Sequence, residues 1–360
     1  MVAPGKAMIC WQQPEIRSDT FTDSWQQVET AITKDKQALG QLRQIIPKPD
    51  FDFQINYDAG VAHINYTNLY MPEAKYASQR LLMETVDELH NGDTVSAEGS
   101  LRAALAIAQS LRDERFVISE LVRMAIAQMA ANGNWELLQA PNVTDKQLAE
   151  LQQDWTSLDF IQSGLNALAM ERVGGQIALK QWRSSDALFE HDFVLTPERR
   201  SEFGMEPESL WDRIKLRPEI FMWRYWWSYD DELRALKGDQ VLMETLRSAQ
   251  TNGFFKDALE NQSNKLNELG ISKLNGEFGW LPDGGADFRG MLSESVVTLS
   301  VAVKRVMRTE AAKEMMITAI ALKRYQLKQG NYPPDLNSLV PEFVSALPLD
   351  PVDGKPYAIT

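Results

Sequence analysis

Apolar positions along this chain recur mostly every third or fourth residue, a spacing that predicts helices. Over 24–46, Trp25, Val28, Ile32, Leu39, Leu42 and Ile46 form one stripe that only Asp35 breaks, and Pro47 and Pro49 end it. From 73 to 183 the pattern gives successive helices. One opens at Pro72-Glu73 and ends at Asn91-Gly92; the next runs from about Val95 to Arg112. A third covers 115–131 and ends at Asn132-Gly133, Thr144-Asp145 caps a fourth, and a fifth starts near Leu158. Helices of this length with short connections pack as antiparallel hairpins.

Two stretches depart from that rhythm. Phe51, Phe53, Ile55 and Tyr57 alternate with Asp52, Gln54 and Asn56, a period of two that predicts an extended segment lying along the helical body. Residues 184–219, with Pro197, Pro207 and Pro218, read as a connection with one short helix near 207–216. Helices follow at 230–250 and 254–268. Residues 271–290 carry Gly276, Gly279, Gly284, Gly285 and Gly290 and read as a hinge. A long helix from about 291 to 329 then carries Leu292, Val296, Leu299, Val303 and Val306, continued by Met316, Ile317, Ile320 and Leu327. The expected architecture is a mainly α protein. It has a flexible terminus over 1–19, a body of helical hairpins over 20–270, the hinge, and a long helix with a turn-rich end over 291–360.

Charge narrows the partners. The 360 residues carry a net −13, which argues against broad binding to nucleic acid or an anionic membrane surface. Residues 284–330 have a net +4, leaving −17 on the rest, so this basic helix either docks on an acidic body or meets an anionic partner. Cys10 is the only cysteine, which rules out an intramolecular disulfide and fits either the cytoplasm or an exported bacterial protein that does without disulfides. No apolar run is long enough for a transmembrane helix, and MVAPGKAMIC lacks the core of a signal peptide. Either the protein is cytoplasmic or its anchor lies outside these residues.

Motifs for chemistry are missing: the chain has no GxSxG, Walker A, GxGxxG or HExxH pattern. Of the three histidines, His63, His90 and His191, the last sits in Glu190-His191-Asp192, where a neighbouring carboxylate could orient an imidazole. Adjacent residues point apart, so a general base there needs help from elsewhere in the fold. Trp223, Trp226 and Trp227, in the run Phe221–Tyr229, share one face of a helix at i, i+3, i+4. That face reads as helix packing, a sugar- or peptide-binding surface, or a membrane-interface belt. Near the end, Asp350 and Asp353 flank the turn at Gly354 and are candidate calcium ligands, or simply turn residues.

The tail 319–357 has the most position-specific punctuation: Gly330, Tyr332-Pro333-Pro334, Leu347-Pro348, Asp350-Pro351, then Gly354, Pro356 and Tyr357. It resembles the C-terminal part of the major, calcium-binding pseudopilins of type II secretion, with their G-x-Y-P turn and D-P-W-G-N-P-Y segment. The resemblance implies a small pilin-like α+β end, a cell-envelope location and a link to calcium. Unlike those proteins, this chain has no leader or apolar N-terminal helix, and Asp353 stands in an insertion. The whole chain also resembles a group of bacterial envelope proteins, through FDFQINYDAGV, LRDERFVISELVRMAIAQM, KLRPEIFMWRYWWSYDDEL and the tail. Such proteins look N-terminally anchored.

These readings combine into one expectation: a non-enzymatic envelope protein that acts through protein contacts, with no cofactor beyond possible calcium. Its contact candidates are Trp223, Trp226 and Trp227, and the tail turn from Tyr332 to Tyr357. The alternative is a hydrolase or ligand-binding protein with a pocket in the helical body built on His191 or His90. A cytoplasmic adaptor is the third reading.

Overall fold

The computed structural model describes residues 25–45, 48, 55, 57, 64–185, 221–271 and 292–357. Among these the fold is all helix and turn. It begins with α1 (Trp25–Thr33) and α2 (Lys36–Leu42), which runs into a 3₁₀ turn, Arg43–Ile45. Next come α3 (Ile64–His90), α4 (Thr94–Ser110), α5 (Val117–Leu138), α6 (Asp145–Ser157) and α7 (Phe160–Ser184). A π-helical turn, Trp223–Trp227, leads into α8 (Ser228–Asn252); α9 (Lys256–Glu268) and the 37-residue α10 (Ser293–Gln329) complete the set.

The mainly α fold of helical hairpins is as the spacing predicts, and the caps show why the chain turns where it does. Asp93 accepts from the Ser96 amide and Asp159 from that of Gln162, while Thr144 and Gln147 form a reciprocal capping box. Gly92, Gly253 and Gly330 end α3, α8 and α10 with positive φ, where a side chain would be strained.

Three boundaries differ from expectation. The first stripe is not one helix, because the chain breaks at Lys34-Asp35, where the Asp35 carboxylate turns to Arg80 at 2.6 Å. Helix α3 does not open at Pro72-Glu73 but at Ile64, with Pro72 inside it, which sacrifices one backbone hydrogen bond. Helix α5 runs straight through Asn132-Gly133. A Cβ on Gly133 would lie 3.1 Å from Leu82 Cδ2 and 3.3 Å from Leu101 Cδ1, so this glycine lets α3, α4 and α5 pack closely and marks no helix end.

One apolar core joins the hairpins to the long helix. Leu81, Leu101, Ile126, Leu148, Trp155, Phe160 and Leu242 share it with Val296, Val303, Val306, Met307 and Ile320 of α10. Helix α10 packs along α5, α6, α7 and α8. Its outer end departs from the predicted stripe, since Leu327 is exposed.

The expected pilin-like α+β end takes another form. The described residues after α10 hold a 3₁₀ turn, Leu336–Leu339, and one isolated bridge between Leu349 and Pro356, with no strand. Leu336, Leu339 and Phe343 pack on Ala321, Leu322 and Tyr325 of α10 as a small separate core. The residues after Leu349 then curl through Asp350–Lys355. Their Pro351 and Val352 carbonyls accept from the Phe255 and Lys256 amides, at 3.0 Å each, and so satisfy the opening of α9. The 1–19 terminus, the 207–216 helix, the 271–290 hinge (Ile271 apart), the alternation at 51–57 (Ile55 and Tyr57 apart), Cys10, His63 and His191 lie outside the described residues.

Candidate interaction surface at the aromatic turn

The aromatic segment divides into an anchor and a display. A π turn has wider i→i+5 bonding, closed here by the Ser228 amide on the Trp223 carbonyl, so residues three apart no longer share a face. Trp223 is 0 % exposed and packs with Leu179, Trp182, Trp227 and Leu292. Trp226, expected on the same face, is 59 % exposed. Trp227 stays with the buried set.

Asp231 holds the anchor. Its carboxylate is fully buried and accepts three hydrogen bonds: from Trp223 Nε1 at 3.1 Å, the Leu292 amide at 2.8 Å and the Ser293 amide at 3.0 Å. A single side chain on α8 thus fixes the indole and caps the opening of α10, where a negative charge is favoured. No sequence signal separates Asp231 from its neighbour Asp230; only the arrival of α10 does so.

The displayed side is an aromatic patch. Phe221, Tyr225, Trp226 and Tyr229 are all more than half exposed. Phe221 lies 4.6 Å from Tyr225 and 6.1 Å from Trp226, centroid to centroid. Arginines brace the base of the patch. Arg183 donates to Ser228 Oγ and the Ser228 carbonyl, pairs with Glu232 at 2.7 Å, and stacks its guanidinium 3.8 Å over the Tyr229 ring. Arg224 donates to the Arg183 carbonyl. The rings therefore face outward on a base braced by Arg183 and Arg224.

The tail candidates are also divided. Tyr332 is exposed, whereas the Tyr357 ring packs against the small core of Leu336, Leu339 and Phe343. Its hydroxyl is buried with no hydrogen-bond partner among the described residues, and burial, with the charges of Asp350 and Glu314, pushes it up to about 12. Asp350 and Asp353 spend their carboxylates on the turn: Asp350 Oδ1 accepts from the Val352 amide at 2.8 Å, and Asp353 Oδ1 from the Lys355 amide at 3.1 Å. Among the described residues no group of three or more His, Cys, Asp or Glu is placed to hold a metal ion.

His90 is exposed and stacks on Trp25, with ring centroids 3.7 Å apart. A groove of about 410 Å³ lies between α6 and α10, lined by Ala149, Gln152, Gln153, Thr156, Ser157 and Arg324, with no histidine among them. Arg324 there is tied to Asp145 at 2.8 Å and Gln152 at 3.0 Å. No helix among the described residues is long and apolar enough to cross a membrane. No protein-family model, curated protein or solved structure matches this chain.

Proposed function

We propose that this chain is a non-enzymatic protein of the bacterial cell envelope that acts by binding a protein partner through the aromatic turn. The observation that carries the reading is the division of Phe221–Tyr229. Trp223 is buried on Asp231, while Phe221, Tyr225, Trp226 and Tyr229 stay exposed on a braced mount. Large exposed aromatic clusters on a stable fold mark interaction sites, and Trp and Tyr dominate binding hot spots. Ordering such rings before binding lowers the entropy lost on association.

The test compares the native chain with a Tyr225→Ala/Trp226→Ala double variant in capture from envelope extracts of the native source. A partner retained by the first and lost by the second, with the thermal midpoint unchanged, supports the reading. A drop in midpoint would instead make these rings part of the folded core. The envelope location rests on the sequence resemblance of residues 319–357 to pseudopilin tails, not on the shape the tail takes. Carbonate-washed membranes of the native source are expected to retain the protein, and its complete recovery in the cytoplasmic fraction would overturn that location.

A further inference from the structure

The charge of α10 is divided along its length. The second half docks on the protein itself. Lys313 is held by Glu310 and Glu314 and donates to the Leu158 carbonyl at 3.1 Å, Arg324 pairs with Asp145 at 2.8 Å, and Lys328 pairs with Glu342. The first half does not dock. Lys304, Arg305 and Arg308 are all exposed, and no carboxylate among the described residues pairs with any of them. Other arginines of the described surface hold carboxylates, as Arg43, Arg80, Arg102 and Arg183 do.

Helical geometry puts the three cations on one side, within an arc of about 100°. Val301 and Met315 fall in the same arc and are 46 % and 52 % exposed, while Val303, Val306 and Met307 leave the opposite side for the core. The result is a strip about 21 Å long, basic in its middle and apolar at each end. The acidic residues along this length, Glu310 and Glu314, both turn to Lys313. Lys304 and Arg308 are four residues apart, where like charges on a helix repel. The ion pairs of the fold leave this set out, and its self-repulsion is relieved when a ligand brings carboxylates to it.

We infer that this strip is a second docking surface, independent of the aromatic turn, and that it takes an acidic segment of a partner protein. Carboxylates of the segment meet Lys304, Arg305 and Arg308, and its apolar side chains meet Val301 and Met315. The net charge of the whole chain decides the shape of the ligand. At physiological salt a charge reaches about 8 Å, so a narrow segment lying along the strip meets its three cations. An anionic membrane or a nucleic-acid duplex is broad, and it also meets the acidic remainder of a chain whose net charge is −13.

Fluorescence anisotropy on the full chain tests this, with a labelled helical peptide that carries glutamates along one face and a leucine at each end. The native chain should bind it, more weakly as salt rises, and should not bind the same peptide with glutamine for glutamate. A Lys304→Gln/Arg305→Gln/Arg308→Gln variant loses three exposed pairs and should bind about tenfold more weakly, with the thermal midpoint unchanged. A Lys34→Gln/Lys75→Gln/Lys146→Gln variant, which removes the same charge from exposed positions elsewhere, should bind as the native chain does. So should Tyr225→Ala/Trp226→Ala, which separates this strip from the aromatic turn. No binding by the native chain, no loss in the first variant, or equal losses in the two charge variants would each overturn the inference. Tighter binding to vesicles of phosphatidylglycerol and phosphatidylcholine than to the peptide would overturn it in favour of a membrane surface.

Discussion

Removing the indole of Trp223 would empty a fully buried site and take one donor from the Asp231 carboxylate. Trp223→Ala should therefore cost about 3–5 kcal/mol in urea unfolding. Trp226→Ala, three residues on, should change stability by about 0.5 kcal/mol or less, because that ring meets solvent. Comparable losses for both would mean that Trp226 is core. The spacing of the tryptophans showed that some of them must pack, yet it put Trp223 and Trp226 on one face, since helical periodicity assumes about 3.6 residues per turn and the π turn breaks that assumption. The same limit applies to Asp231, whose amide partners at Leu292 and Ser293 stand 61 and 62 residues away. Asp350 and Asp353, by contrast, serve as turn residues bonded to their own neighbours, one of the two readings open from the sequence.

Helices cross closely where glycine replaces a side chain. At Gly238 of α8 an added Cβ would meet Val296 Cγ1 of α10 at 2.7 Å and Ile271 Cδ1 at 2.9 Å. Valine is stiff at χ1 and has little room to yield. Gly238→Ala should thus destabilise the protein by about 1–3 kcal/mol, despite the better helix propensity of alanine. A rise in the urea midpoint would show that α8 and α10 do not meet there. Helix existence was legible from spacing, and one helix start from Thr144, because caps act within one turn. One internal glycine was misread: Gly133 has the same local look as a terminator, and only α3 and α4 packed beside it give it another reason. The tail shows the converse case. Its turns were evident, but their use as acceptors for the opening of α9 depends on a segment nearly 100 residues earlier.

Across the described residues, several carboxylates are buried, and this shapes the response to pH. Burial raises Glu88 from 4.5 to about 7 and Asp239 from 3.8 to about 6, the latter against the pull of Arg172. Both folded-state values lie above the unfolded ones. Their stabilisation is complete below about pH 4 and is lost as pH rises through 6 and 7. The net −13 acts in the same direction, since protonation relieves self-repulsion. The lowered carboxyls of Asp93 and Glu244, held down by hydrogen bonds to Ser96 and Gln240, weaken the fold only in stronger acid. The urea midpoint should therefore be higher at pH 6 than at pH 8, and an equal or lower value at pH 6 would contradict the burial of these groups. The chain alone determined its helices, most of its caps and the turn chemistry of its tail, because each depends on residues a few positions apart. Tertiary structure decided which aromatics are displayed, that the long helix runs through the core, and which of 50 acidic residues hold protons near neutrality. Those properties arise from desolvation and contact between segments far apart in sequence, and no local pattern encodes them.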